Sequence, residues 1–282
     1  MPEQPRWILR IVRWHDQNTL MKSPAANDDV PVDTAAIIAA QLRRREDVSD
    51  EAFDALLTEL PRRKSRTYWS SVHAAQTAAR LLREAGATQV LDAGSGVGKF
   101  CAIASLDSAH RVWGVERRGE LVFESRRLAQ KLGAEVVITE GTLQDVDPSE
   151  FDGFYFFNPF GEYVAADEDR YDMGSPRSFD AYIRDARLVE KWLLSAPVGT
   201  AMVTYNGLGG RIPVSFRVKH TTHVRDDTMR LWVKEKPDDS REAYIEIEEE
   251  LITASELARL SAGNGAGFAD SPLVKELSTP GD

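Results

Sequence analysis

Residues 90–100, V-L-D-A-G-S-G-V-G-K-F, constrain this chain more than any other segment. An apolar run, a turn with Gly94, Gly96 and Gly98, and a helical pattern follow one another. That order lets backbone approach a ligand closely and aims helix N–H groups at its polar end. A dinucleotide fingerprint would place its third glycine at position 99, where Lys99 stands, and a phosphate loop would need Ser or Thr where Phe100 stands. Both phosphate readings fail. Asp92, two positions before the first glycine, suits a ligand carrying an ammonium and a sulfonium.

The surrounding periodicity is that of a parallel α/β sheet, with short apolar runs separated by helical segments. Strands are expected at 89–93, 111–115, 135–138, 153–158 and 199–205, and helices at 97–106, 119–132 and 176–195. Residues 215–224 and 228–236 alternate in polarity and predict a terminal β-hairpin. Upstream, helices are expected at 33–46, from a Ser49 cap to Pro61, and from 68 to a stop at Gly86. The organisation read from this is a partly helical extension (1–61), a main domain (62–260) and a mobile tail (261–282). Residues 7–14, with arginines on one helical face and Trp7, Ile8, Ile11 and Trp14 on the other, read as a short docking segment.

With 35 Lys and Arg against 45 Asp and Glu, the net charge is −10, which disfavours non-specific binding to nucleic-acid phosphates. The single cysteine, Cys101, permits no internal disulfide, and no apolar run reaches membrane-spanning length. The expected setting is cytoplasmic. The five histidines show no metal spacing, so no metal is expected.

The second element of the ligand site is R-V-W-G-V-E-R-R (111–118), where Glu116 ends the next strand and can accept both hydroxyls of a ribose. With the glycine loop, it makes the chain resemble the class I S-adenosylmethionine-dependent methyltransferases. The resemblance implies a Rossmann-like fold, a mostly parallel sheet with a terminal antiparallel hairpin, and S-adenosylmethionine as cofactor, leaving as S-adenosylhomocysteine. It implies cofactor contacts from Trp69, Asp92, Gly94, Ser95, Gly96, Gly98, Lys99, Glu116 and Asn158. Thr142 stands where such folds usually offer an Asp to the adenine.

The fourth strand ends in N-P-F, with Asn158 at the C-terminal edge where open α/β sheets bind ligands. N-P-F is similar to the N-P-P-aromatic motif of enzymes that methylate amide or base amino nitrogens, with its aromatic two residues after Asn158 instead of three. Taken together, L-D-A-G-S-G-V-G-K, G-V-E and N-P-F look more like the non-SET histone-lysine methyltransferases of the Disruptor-of-telomeric-silencing type, over roughly residues 68–210. That resemblance implies a nitrogen acceptor, such as a lysine side chain, oriented by Asn158, Phe160 and Tyr163, with Tyr68 and Trp69 as a lid. About one lysine in two thousand is neutral at pH 7, so the site would have to favour the free amine, as an aromatic pocket with Tyr205 and Asn206 can. The acidic run from Glu162 to Asp172 is either solvated loop or a lure for a cationic peptide. Two rivals remain: a small-molecule N- or O-methyltransferase, and a cofactor-binding module without activity.

Overall fold

A computed structural model describes residues 32–107, 109–163, 171, 178–225, 227–238 and 244–245. The expectations for residues 1–30 and for the tail lie outside the described residues, as does most of 241–261.

The chain forms α1 (Val32–Arg43), α2 (Asp50–Asp54), α3 (Glu59–Tyr68), α4 (Val72–Glu84), β1 (Gln89–Ala93), α5 (Lys99–Leu106), β2 (Arg111–Glu116), α6 (Gly119–Leu132) and β3 (Val136–Glu140). There follow β4 (Gly153–Phe157), α7 (Phe179–Ser195), β5 (Ala201–Tyr205), β6 (Ile212–Pro213), β7 (Phe216–Val224), β8 (Asp227–Lys234) and β9 (Tyr244–Ile245). Seven strands make one sheet in the order β3-β2-β1-β4-β5-β8-β7. The first five are parallel; β8 joins β5 antiparallel and β7 closes the hairpin. This is the Rossmann-like sheet with a terminal antiparallel hairpin that the sequence predicts, with β6 and β9 pairing separately.

The strand order turns back between β1 and β4, and ligands of open α/β sheets bind beyond the carboxyl ends of the strands at such a point. Burial explains the placement. β4 reads G-F-Y-F-F and is covered on both faces, as a central parallel strand should be. On one side α7 buries Phe179, Tyr182, Ile183, Ala186, Val189 and Leu193, spaced at three and four residues, against Phe154, Phe156 and Met202.

Three helix boundaries differ from expectation, the first being that the helix capped by Ser49 ends at Asp54 and a new one starts at Glu59. Pro61 does not stop a helix but sits third in α3, in the first turn, where its missing N–H costs nothing. The helix expected from Tyr68 instead starts at Val72. Ser71 caps it by accepting from Ala74 N at 3.1 Å, and Trp69 is extended at φ −115°, ψ 146°. The Ser71 hydroxyl offers the backbone this alternative to continuous helix, while that of Ser70 bonds the Tyr155 hydroxyl at 2.6 Å.

Helices α1 and α2 pack on the glycine-turn side of the sheet, across the boundary expected near residue 61. Arg43 donates to the carbonyl of Gly133 (2.9 Å), and Glu124 accepts from Thr58 N (2.7 Å).

Candidate active site

The glycine turn is welded to β2. Gly94 N and Ser95 N both donate to the carbonyl of Val115 at 3.0 Å, and Gly98 N donates to that of Ser95 at 2.8 Å. All three glycines have positive φ (81°, 53° and 72°). Two are also sterically required. A Cβ on Gly96 would lie 2.6 Å from the Trp69 ring, and one on Gly98 would lie 1.9 Å from Ser125 Oγ. Trp69 therefore lies over the glycine loop, its Nε1 anchored on the carbonyl of Pro61 at 3.2 Å.

Glu116 closes the turn from the side. It is 5% exposed, and its two oxygens accept from Gly96 N (3.1 Å) and Arg118 N (2.9 Å). Burial raises its pKa, against the opposing pull of those N–H groups and of Arg118 and Arg117. A carboxylate can accept further bonds after these two, so a ribose diol can still be held. Asp92 lies deeper, 4% exposed, and accepts from Cys101 Sγ at 3.3 Å. Burial, assisted by the nearby charge of Glu116, pushes its carboxyl up to about 7.

A cavity of about 510 Å³ opens here, lined by Trp69, Gly94, Gly96, Glu116 and Thr142 at one end and by Asn158, Phe160, Tyr163, Tyr182, Asp185 and Asn206 at the other. Pockets of about 300–1,000 Å³ are usual for small ligands. Of the residues expected to touch the cofactor, Asp92, Ser95, Gly98 and Lys99 do not line this cavity. The clearest correction concerns Lys99. Its ammonium is 2% exposed and ion-paired with Asp50 (2.9 Å) and Asp54 (2.6 Å) of α2, over the Phe53 ring. Its position at the head of α5 points the side chain to the extension and away from the loop. Asp92 and Ser95 are buried and stand away from the cavity wall. Thr142 lines the cavity, but its hydroxyl and N–H both donate to Asp145, forming a small capping box.

Beyond β4, Tyr163 donates to Asp185 Oδ2 at 2.8 Å, and the Arg117 guanidinium lies 5.2 Å from the Tyr163 ring centre. The Tyr163 hydroxyl is held above its ordinary pKa by burial and by the Asp185 carboxylate. Tyr182 donates to the carbonyl of Gly209 at 2.6 Å, and its ring meets Phe160 edge-on. Residues that sequence reasoning missed are Arg118, Tyr171 and Asp185. Arg118 bridges Glu116 and Glu162, and Tyr171 packs on both Tyr68 and Trp69 at 5.5 Å between centroids. Arg118 was signalled by the second arginine after G-V-E, whereas Tyr171 sits in a charge-rich run that reads as solvated loop. The acids at 167–169 and 172 of that run lie outside the described residues.

No protein-family model and no curated protein sequence matches the chain. Among solved structures, it is similar to an RNA methyltransferase from Salinibacter ruber in complex with S-adenosyl-L-homocysteine, at 19% identity, over 58% of this chain and 94% of that one, with a TM-score of 0.42. It is also similar to magnesium protoporphyrin IX methyltransferase from Synechocystis PCC 6803 with bound S-adenosylmethionine, at 12% identity, over 76% and 100%, with a TM-score of 0.43. A third is the 16S rRNA methylase RmtB, at 12% identity, over 83% and 85%, with a TM-score of 0.43. The fold rests on the strand order itself, and the chemistry on the site, not on these superpositions. Among the described residues, no helix is long and apolar enough to cross a membrane.

Proposed function

We propose that this protein is an S-adenosylmethionine-dependent methyltransferase acting on a nitrogen acceptor. One observation carries the reading: a single cavity joins the Gly94–Gly96 turn and the buried Glu116 to Asn158 at the end of β4. Gly94, Gly96, Trp69 and Glu116 would hold the cofactor, Glu116 by its ribose and the glycine turn by close backbone approach. The donor set fits a cationic, diol-bearing ligand: a buried carboxylate faces the cavity, and no Cβ obstructs the turn.

The bound cofactor supplies a methyl carbon already activated by its sulfonium, so the chain's own task is to position the acceptor and exclude water. The acceptor's lone pair forms the N–C bond as the C–S bond breaks, the C–S electron pair remaining on sulfur, and the proton lost from nitrogen passes to water. Asn158, at the strand edge, orients the acceptor nitrogen; Phe160, Tyr163 and Tyr182 wall it from solvent. Such an aromatic wall disfavours charge, so an alkylamine such as lysine would have to enter neutral.

Isothermal titration tests the cofactor assignment. S-adenosylmethionine and S-adenosylhomocysteine should bind the wild type and NAD should not. Glu116→Ala should weaken binding at least about tenfold, the loss of hydrogen bonds to a charged group. A folded wild-type protein that binds neither sulfur compound would sink the proposal. Binding without transfer to any acceptor would instead identify a regulatory module.

A further inference from the structure

The end of β5 repeats the end of β4. Their parallel register ends at the pair Phe157 and Tyr205, so the residue that follows each strand at this shared edge is an asparagine, Asn158 after β4 and Asn206 after β5. Both have positive φ, 38° and 54°, a conformation Asn tolerates better than other side-chain-bearing residues. The backbone of each is fixed, Asn158 N donating to the carbonyl of Tyr205 (3.3 Å) and Asn206 N to that of Thr228 (3.0 Å). Both side chains are exposed, both residues line the cavity, and among the described residues neither carboxamide has a hydrogen-bond partner. Gly161 keeps the first one's space clear, since a Cβ there would lie 2.4 Å from Asn158 Nδ2.

We propose that Asn206 reads the acceptor together with Asn158, and that the pair selects an amino group conjugated to a heterocycle, of the nucleobase type. This rests on the methyltransferase reading above. Each carboxamide offers one carbonyl acceptor and one two-proton donor, so two at a shared edge present both kinds of partner to one acceptor. A conjugated amino group beside a ring nitrogen or carbonyl uses both kinds. A neutral alkylamine has one lone pair, which transfer directs at the methyl carbon, and would leave the carboxamide N–H groups facing it unpaired.

The wall's charges point the same way. Each carboxylate among the described lining residues is already balanced by an arginine: Glu116 and Glu162 by Arg118, and Asp185 by Arg184 at 2.8 Å. At the acceptor end, among the described lining residues, Glu162 and Asp185 are thus both paired and no carboxylate there is left over for an ammonium on the acceptor. The rings of Phe160, Tyr163 and Tyr182 at the acceptor end of the cavity give a flat heterocycle apolar surface to pack on.

The test is transfer of a tritiated methyl group from S-adenosylmethionine, by the full chain, to five probes. They are adenosine, cytidine, a mixed-sequence single-stranded oligonucleotide, an N-acetylated glutamine amide and a lysine-containing peptide. Label is expected on an exocyclic nitrogen of a nucleoside or of the oligonucleotide, and those two arms separate a free metabolite from a nucleic acid. Asn206→Ala should lower kcat/KM on that probe roughly threefold to tenfold, the effect of one neutral hydrogen bond, with the affinity for S-adenosylmethionine unchanged. Asn206→Asp, which keeps the acceptor but loses the donor, should fall as far. Label on the lysine or the amide alone, label on none of the probes, or an unaltered rate in Asn206→Ala would each overturn the inference. Failure of the folded wild type to bind S-adenosylmethionine would overturn the cofactor reading itself, and this inference with it.

Discussion

The two ends of the cavity are built on different plans. At the cofactor end the turn amides are satisfied by Val115 and Glu116, Asp92 by Cys101 and the Thr142 hydroxyl by Asp145, with the hydroxyls of Ser95 and Ser125 buried without a partner among the described residues. At the acceptor end Asn158 and Asn206 are held by their backbones and leave their carboxamides open. One end is a finished cradle that a ligand joins; the other is completed only by its ligand. Substitutions at the first should therefore disturb folding, and those at the second should disturb turnover.

The largest effect expected is at Lys99. Removing its ammonium leaves the Asp54 carboxylate unpaired in a buried site, while Asp50 keeps Arg225 (2.6 Å) and Val72 N (2.7 Å), so Lys99→Ala should lower unfolding free energy by about 3–5 kcal/mol in urea titrations. Since Lys99 does not line the cavity, cofactor affinity of the folded fraction should hardly change. A large loss of affinity with normal stability would erase the distinction between support and contact.

Asp92 comes next, and its sign follows from burial. Its carboxyl sits near pH 7 in the folded chain and near 4 in the unfolded one. The native state therefore holds an extra proton between those values, and stability falls as pH rises through that window. Asp92→Asn stays neutral and should gain on the order of 1–3 kcal/mol at pH 8 and nothing near pH 4. Equal effects at both pH values would refute the burial account.

At the open end, Asn158→Ala should leave stability and cofactor binding intact while lowering kcat roughly threefold to tenfold. Thermal melts alongside steady-state rates will show whether that separation holds. Smallest is Thr142→Ala, with a loss of cofactor affinity below roughly threefold, because its hydroxyl donor is already given to Asp145. A larger drop by calorimetry would move Thr142 from the frame to the contact surface.

Much of the finished end was legible in the sequence. The strand-turn-helix pattern at 90–100, the acid closing β2 and the Gly86 stop all report local conformation, which local residues determine. Lys99 was misread because its partners lie 49 and 45 residues upstream, a pairing no local pattern carries. The break at Trp69 was missed for a related reason: helical periodicity runs through it, and only the Ser71 cap tells against continuity. Arg118, Tyr171 and Asp185 meet by folding alone. The open end was legible in part, since N-P-F marks one asparagine but only strand register sets Asn206 at the same edge.

The ion pair at Lys99 also orders events in time. Asp50 and Asp54 leave the ribosome 49 and 45 residues before the lysine they enclose. At about 5–20 residues per second, both carboxylates spend roughly 2–10 s in water before their partner emerges. The Asp50–Asp54 helix is therefore made with its two carboxylates still awaiting the lysine that joins it to the head of α5.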